Sequence, residues 1–193
     1  DIVLTASGRV QALLVAERTM LNFMQRMSGI ATNTNRFVQA VRHTEAKILD
    51  TRKTTPGLRT FEKWAVRIGG GHNHRFGLYD MIMIKDNHVD FCGGIENAIN
   101  RVHQYLADNE LNLRIEVETR NLDEVWQVLK TGRVDRIMLD NYSLEALREA
   151  VKVIDKQFES EASGGVNLNT VKAIAETGVG FSSVGELTRS VKS

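Results

Sequence analysis

The sequence predicts an α/β fold in which parallel strands curve into a barrel, and two observations lead to this prediction. Short apolar runs typical of buried strands alternate about six times with longer stretches typical of helices, an order that implies β–α–β units and a parallel sheet. The sequence also lacks the glycine fingerprint of a dinucleotide-binding sheet. A TIM-like barrel therefore fits better than a doubly wound sheet, which remains the alternative.

The same runs place the elements along the chain. Residues 1–10 are predicted to form a strand and a turn. The spacing of apolar residues predicts helix from residue 13 to about residue 41, interrupted at Ser28 and Gly29. The predicted strands lie at residues 48–49, 81–84, 113–117, 137–139, around 158 and at 179–184. The predicted helices between them lie at residues 61–68, 95–106, 122–129, 144–154 and 171–176.

The composition is that of an ordinary globular protein. The 193 residues are 42% hydrophobic and 25% charged, which is enough to build one good core. The lone Cys92 excludes an intrachain disulfide and suits a reducing compartment, so a cytoplasmic location is expected. No apolar run approaches the roughly 20 residues of a membrane span. A pI of about 8.1, without aromatic residues interleaved among the basic ones, argues against a nucleic-acid partner.

Positive charge is concentrated in residues 46–88. This segment has eight Lys and Arg against four Asp and Glu, a net charge of +4, whereas the remaining residues carry −3 and the whole chain +1. The basic residues follow the first two predicted strands and a glycine-rich turn, so the segment is predicted to hold an anion. A solvated basic face is the alternative interpretation, because charge patterning alone is a weak signal.

A polar residue ends each predicted strand, and this regularity predicts where the functional site lies. In parallel barrels the chemistry gathers at the carboxyl ends of the strands and in the loops that follow. Such a rim would carry cations after the first two strands, carboxylates after the next two, and serine–glycine turns after the last two. In chain order the strand-ending residues are Arg52 with Lys53, Lys85, Glu118, Asp140, Ser163 and Ser183.

Glu118 and Asp140 are the candidate metal ligands or acid–base residues. Oxygen ligands that face a cationic cluster suit Mg²⁺, which also binds substrate phosphates, and a carboxylate pair can instead act in general acid–base chemistry. The structural alternative is an ion pair with Lys85 or Arg52 that only fixes the rim. Glu116 shares a strand face with Glu118, but Glu118 is favoured because it lies nearer the strand end.

Two turns and one histidine complete the candidate anion site. Ser163-Gly164-Gly165 and Ser183-Val184-Gly185 are each predicted to lead into a helix, where backbone N–H groups bind phosphate; two ordinary turns are the alternative. His74 is predicted to hydrogen-bond an anion. The spacing of His72 and His74 does not fit a zinc site, and the sequence contains no P-loop or nucleophile elbow.

Seven segments of the chain together resemble one family. They are ERTMLNFMQRMSGIAT (17–32), ILDTRKTTPGLR (48–59), AVRIGGGHNHRFGLYDMIMIKDNH (65–88), IEVE (115–118), IMLDN (137–141), EASGG (161–165) and SVGELT (183–188). In order and length they resemble quinolinate phosphoribosyltransferase, also called nicotinate-nucleotide pyrophosphorylase (carboxylating). The resemblance implies an incomplete TIM-like barrel of the type II phosphoribosyltransferases at residues 43–193. It implies that residues 1–42 are the end of an N-terminal α/β sandwich domain with linking helices.

The resemblance also implies an activity and its residues. Phosphoribosyl transfer from phosphoribosyl pyrophosphate to quinolinate, with Mg²⁺, would give nicotinate mononucleotide, pyrophosphate and CO₂ in de novo NAD synthesis. Homodimers or larger homo-oligomers would share active sites, to which Arg18 would contribute across the interface. The implied catalytic residues are Lys53, Lys85, Glu118 and Asp140, of which Glu118 and Asp140 would hold the metal. The implied substrate contacts are Arg18, Thr51, Arg52, Lys53, His74, Arg75, Lys85, Ser163, Gly164, Gly165, Ser183, Gly185 and Arg189.

The chain departs from the family pattern in ways that leave alternatives open. Most of the N-terminal domain and the last barrel strand of the family are expected to be absent, and Gly180, Ser182 and Arg189 replace the family's usual residues. The glycine and the serine would weaken a strand, whereas an arginine can still hold phosphate. The alternatives are transfer to nicotinate or another pyridine, and a non-catalytic fragment that only binds anions. Two cationic groups for two carboxylates favour quinolinate.

Overall fold

Six parallel strands form one curved sheet, the wall of a partial TIM-like barrel. The computed structural model describes residues 1–189, and the end of the predicted barrel domain, residues 190–193, lies outside them. The strands are β1 (Lys47–Leu49), β2 (Ile82–Ile84), β3 (Ile115–Thr119), β4 (Arg136–Asp140), β5 (Glu159–Ser163) and β6 (Phe181–Ser183). Their order in the sheet is β1-β6-β5-β4-β3-β2, with every neighbouring pair parallel. The predicted parallel α/β architecture is confirmed.

Helices alternate with these strands, as the sequence predicts, and pack on the outer face of the sheet. No helix within residues 1–189 combines the length and the apolar character needed to cross a membrane. The helices are α1 (Val10–Val41), α2 (Arg59–Ile68), α3 (Asp86–Cys92), α4 (Ile95–Asp108), α5 (Leu122–Thr131), α6 (Leu144–Ile154), α7 (Val171–Ala175) and α8 (Glu186–Arg189). The predicted boundary between two domains at residues 42 and 43 stays a prediction.

The hydrophobic core lies between the sheet and its helices, in two clusters. In the larger cluster, Val117 of β3 and Leu139 of β4 pack with the inner faces of α4, α5 and α6. In the smaller one, Ile48 of β1 packs with Phe37 of α1 and with α2. Each of these four side chains is almost completely buried, and burial of one such side chain stabilises the fold by about 1.5–3 kcal/mol.

Helix α1 is continuous, so the predicted interruption at Ser28 and Gly29 is wrong. The helix buries Ile30, Thr34 and Phe37, and their spacing of three or four residues places them on one face. This face packs against the barrel immediately after the glycine. The packing stabilises the helix through a position where glycine disfavours it by about 1 kcal/mol.

One further local prediction is wrong, and one helix was not predicted. Residues 1–9 form no strand, and Val10 already begins α1; no neighbouring strand pairs with this segment within the described residues. The sequence pattern also missed α3, because its seven residues bury only Val89 and so give almost no apolar period. The helix ends at Gly93, whose φ of 75° is readily available to glycine.

A glycine-rich segment narrows the gap between β1 and β2, the two edges of the sheet. His72 pairs with Leu49 in a parallel bridge, and its N–H donates to the carbonyl of Ile48 at 2.8 Å. Three residues on, the Arg75 guanidinium donates to the carbonyl of Met81 at 3.2 Å. The segment therefore places His74 and Arg75 at the mouth of the barrel, beside the carboxyl ends of the strands.

Candidate active site

A cavity of about 680 Å³ opens at the carboxyl ends of the strands. Most of the residues predicted for the site line it, although they come from separate strands and loops across the chain. A second cavity, of about 850 Å³, lies at the amino ends of the strands, where barrels do not carry their chemistry. The predicted residues around the first cavity are Thr51, Arg52, Lys53, His74, Arg75, Lys85, Glu118, Asp140, Ser163, Gly164 and Ser183.

Four predicted residues do not line this cavity. Arg18 is exposed in the first half of α1, and Arg189 is exposed at the end of α8. Gly165 is exposed one position beyond the lining residue Gly164. Gly185 lies beside the site, because a Cβ built on it would be 3.6 Å from Cδ of Lys53. The predicted contacts of these four residues with substrate stay predictions.

One wall of the cavity is cationic. Arg52, Lys53, Arg75 and Lys85 line it, and no carboxylate of residues 1–189 lies within 4 Å of their charged nitrogens. Burial lowers the pKa of Arg75, and the neighbouring charge of Arg52 lowers it further. Neighbouring cations without a carboxylate partner in the described residues form a site that favours an anionic ligand.

A buried ion pair holds the two loops that carry these cations. Asp50, at the end of β1, accepts hydrogen bonds from the ammonium of Lys63 and, at 2.8 Å, from the backbone N–H of His74. The same ammonium donates to the His74 carbonyl at 3.0 Å. Burial raises the pKa of Asp50 and lowers that of Lys63, while their mutual attraction opposes both shifts. The pair fixes the glycine-rich segment to the strand that leads into Arg52.

Glu118 and Asp140 line the same cavity near the ends of β3 and β4, and both are half-buried. Burial raises the pKa of Glu118, and the charge of Asp140 raises it further, whereas Lys85 opposes the shift. Two neighbouring carboxylates provide oxygen ligands and negative charge for a divalent cation. The donor set therefore fits Mg²⁺, and neither residue pairs with Lys85 or Arg52 within 4 Å in the described part of the chain.

The turn after β5 requires glycine. Gly164 has a φ of 88°, and a Cβ built on it would lie 2.1 Å from Oδ1 of Asn141. The N–H of Asn141 in turn donates to the Ser163 carbonyl at 2.8 Å. However, α7 begins only at Val171, so this turn does not lead directly into a helix as the sequence predicted. Any anion contact here would come from the turn itself.

The sequence reasoning missed a buried ionic layer at the base of the cavity, which we call the floor. His74 Nε2 lies 2.9 Å from Oε2 of Glu116 and 3.4 Å from Oε2 of Glu161, while Arg136 donates to Glu161 at 2.8 Å. Strand alternation could have indicated it, because Glu116 precedes Glu118 by two residues and therefore faces the barrel interior. The floor consists of His74, Glu116, Arg136 and Glu161.

The floor groups perturb one another's ionisation. Burial lowers the pKa of His74, but the contacts with Glu116 and Glu161 outweigh it and raise the pKa to about 9. Burial raises the pKa of Glu116, and the charge of Glu161 adds to this, to about 7. Burial works against ionised Glu161 too, yet His74 and Arg136 lower its pKa. Donor atoms of His74, Glu116 and Glu161 also lie close enough together to approach one metal ion.

Comparison with known proteins places the chain in a family. Residues 30–193 match the family model described as quinolinate phosphoribosyl transferase, C-terminal domain. A curated relative from Arabidopsis thaliana, named nicotinate-nucleotide pyrophosphorylase [carboxylating], chloroplastic, is 52% identical over 96% of this chain and 57% of its own length. A Bacillus subtilis relative, named a probable enzyme of the same kind, is 46% identical over 100% of this chain and 65% of its own length.

Solved structures show the same similarity. The nicotinate-nucleotide pyrophosphorylase from Francisella tularensis superposes with a TM-score of 0.89 at 45% identity, over 95% of this chain and 64% of that one. The chain thus spans a little over half to about two thirds of the length of the proteins it matches.

Proposed function

The chain belongs to the quinolinate phosphoribosyltransferase family, and we propose that its cavity transfers phosphoribose from phosphoribosyl pyrophosphate to quinolinate. The products would be nicotinate mononucleotide, pyrophosphate and CO₂, in de novo NAD synthesis. One observation carries the proposal: four cations and a carboxylate pair line the same cavity of about 680 Å³ at the strand ends. The reaction needs this combination, because both substrates are polyanions and the ribose centre becomes positive.

The cationic wall brings the two anions together. Arg52, Lys53, Arg75 and Lys85 would neutralise the quinolinate carboxylates and the pyrophosphate, whose repulsion would otherwise oppose binding. Two cationic groups on different loops, Arg52 with Lys53 on one and Arg75 on the other, suit a dicarboxylate better than a monocarboxylate. This is why we favour quinolinate over nicotinate.

The carboxylate pair would act on the ribose side of the reaction. As pyrophosphate leaves, positive charge develops on the ribose, and a nearby carboxylate such as Glu118 stabilises it. Glu118 and Asp140 would also hold Mg²⁺, which when bound neutralises charge on the pyrophosphate oxygens. Lys53 or Lys85 would then stabilise the negative charge that builds on the ring carbon as CO₂ departs.

We propose in addition that two copies of the chain share their sites. Arg18 is exposed in the first half of α1, where Leu14 and Val15 are also exposed. The buried residues of this helix begin only at Ile30. In a two-fold dimer each copy offers the same patch, so each site could receive one Arg18 from its neighbour. The proposed cytoplasmic location rests only on the lone, free Cys92.

A CO₂-release assay tests the proposed reaction. The purified chain is incubated with phosphoribosyl pyrophosphate, Mg²⁺ and quinolinate labelled in its ring carboxyls, and the expected result is release of labelled CO₂ that requires all three. Glu118→Gln should lower the rate more than it weakens quinolinate binding, because the charge acts on the transition state. Turnover of nicotinate but not quinolinate would establish the pyridine alternative. Binding of phosphoribosyl pyrophosphate without any turnover would indicate an anion-binding fragment.

A further inference from the structure

We propose that Glu116 and Glu161 are positioning residues that hold the His74 imidazole through its Nε2–H. In this arrangement His74 orients Arg75 and does not contact the substrate through Nε2. The inference deepens the proposed function and rests on it, because Arg75 belongs to the wall that would bind the dicarboxylate. It assigns a task to the floor, which none of the proposed reaction steps uses.

Both ring nitrogens of His74 have neighbours within the protein. Nδ1 accepts the backbone N–H of Arg75 at 2.8 Å. A backbone N–H can only donate, so Nδ1 presents its lone pair and the ring proton lies on Nε2. The two carboxylates favour a second ring proton, but a proton on Nδ1 would point at the N–H of Arg75, so the imidazole stays neutral in this geometry. Nε2 lies 2.9 Å from Glu116 and 3.4 Å from Glu161. Neither contact is aligned as a separate hydrogen bond, a geometry typical of one N–H shared between two acceptors.

The two carboxylates are fixed in place by the sheet. Glu116 lies on β3 and Glu161 on β5, both with no exposed surface, and β4 runs between these strands. From β4, Arg136 donates to Glu161 at 2.8 Å and places its guanidinium 4.0 Å from the centre of the Phe181 ring. This cation offsets the charge of the carboxylates, so they can stay buried without the substrate.

The ring in turn fixes the chain at Arg75. The imidazole anchors the backbone N–H of Arg75, while the guanidinium of the same residue donates to the Met81 carbonyl at 3.2 Å and approaches Sδ of Met83 at 3.6 Å. Arg75 is thereby held at both ends against the cavity wall. A rotated His74 ring would release the first of these contacts and loosen the cation that faces the ligand.

A metal ion on the same three residues is the competing interpretation. Donor atoms of His74, Glu116 and Glu161 lie within 4.8 Å of one another. A metal on Nε2 would require the ring proton on Nδ1, and a metal-bound histidine normally donates that second N–H to an acceptor. Here Nδ1 faces the N–H of Arg75, which is a donor. Arg136 also already neutralises Glu161.

Nuclear magnetic resonance of the ¹⁵N-labelled chain tests the proposal directly. Two-bond ¹H–¹⁵N spectra distinguish the ring nitrogens of the five histidines, and His74→Gln assigns the relevant signals. The expected result is a proton on Nε2 of His74 and an acceptor-type Nδ1. A proton found only on Nδ1 would overturn the proposal, as would removal of the Nε2–H signal by one equivalent of Zn²⁺ added alone.

Variants separate the positioning role from a general structural one. Glu116→Gln and Glu161→Gln should each disturb the Nε2–H signal of His74. Each should also raise the dissociation constant for quinolinate about tenfold, the effect of one lost hydrogen bond. Glu118→Gln, on the same strand face but without a contact to His74 within the described residues, should leave that signal unchanged. Unchanged His74 signals in both floor variants would refute the assignment.

The last part of the experiment repeats the measurement with quinolinate bound. At saturating quinolinate the Nε2–H signal of His74 should persist, whereas the backbone and side-chain signals of Arg75 should shift. Loss of the Nε2–H signal on saturation would mean that the substrate takes this nitrogen, contrary to the proposal. If quinolinate does not bind at all, the proposed function fails, but the tautomer of the free protein still decides the role of Glu116 and Glu161.

Discussion

The rim and the floor of the barrel are built from the same residue types but are held in opposite ways. At the rim, Lys53, Lys85, Glu118 and Asp140 line the cavity, and in residues 1–189 none of them forms an ion pair within 4 Å. One layer below, every ionisable floor side chain lies within 3.4 Å of another floor side chain and is almost fully buried. The floor residues bind one another, so the charges left over to bind a ligand are those of the rim.

The difference between rim and floor shows that a charged residue's role cannot be inferred from its strand and face alone. Glu116 and Glu118 share a strand and a face, yet the first contacts His74 and the second lines the cavity. Burial without a partner is costly for a charge, so deep positions require compensation, whereas water and ligands can satisfy charges at the mouth. Substitutions in the two layers should therefore act on different properties.

The largest effect is expected from Arg136→Met in the floor. The change leaves Glu159 and Glu161 without their buried cation, and breaking one partner from such a pair lowers the free energy of unfolding by about 3–5 kcal/mol. Urea unfolding measures the loss.

The matched control is Arg114→Met, which removes another arginine that contacts Glu159. Because the Arg114 side chain is 48% exposed, the loss should stay below about 1 kcal/mol. Equal destabilisation by both variants would mean that burial does not distinguish the floor from the surface.

A smaller loss, about 3 kcal/mol, is expected from Lys63→Met in the ion pair that holds the rim loops. The change leaves Asp50 buried, with hydrogen bonds from Asn73 and from the His74 backbone as its remaining partners. Adding Asp50→Asn removes the uncompensated charge. The double variant should therefore lose about 1–2 kcal/mol less free energy of unfolding than the two single variants lose together. Strict additivity in chemical unfolding would show that the two residues do not act as a pair.

The fold could be predicted from the sequence. Parallel strands are covered on both faces and therefore appear as short apolar runs, such as the one around Leu139, and strand ends could be located from the polar residues that follow. The same logic brought Lys85 and Asp140 to one cavity. Local periodicity sufficed because each of these features depends on a few consecutive residues.

The floor could not be predicted in the same way. It joins Glu116, Arg136 and Glu161 on three strands to His74 on a loop, and no local pattern gives the register that aligns them. Alternation places Glu116 inside the barrel, but only the stagger of β3 against β5 brings it within reach of His74. Tertiary packing likewise decided that α1 continues through Gly29.

The next comparison is between Gly164 and Gly165, two neighbouring glycines in the turn after β5. Gly164→Ala should lower the free energy of unfolding by about 2–3 kcal/mol, because the positive φ is strained for alanine and the new Cβ would meet Oδ1 of Asn141 at 2.1 Å. Gly165→Ala shares the strain, with a φ of 63°, but nothing lies within 4 Å of its Cβ, so about 1 kcal/mol is expected. Thermal unfolding of both variants measures the difference, which is the contribution of the clash alone.

The smallest effect on stability is expected at the rim itself, from Lys85→Ala. Lys85 is exposed at the end of β2 and pairs with no carboxylate within 4 Å in the described chain, so the free energy of unfolding should change by less than about 0.5 kcal/mol. Ligand affinity, in contrast to stability, should fall strongly. One charge-assisted contact to an anion contributes about 1.5–3 kcal/mol, so binding of phosphoribosyl pyrophosphate or quinolinate should weaken roughly ten- to a hundredfold, measured by calorimetry. A variant that unfolds easily yet binds normally would place Lys85 with the floor, among residues whose charge serves the structure.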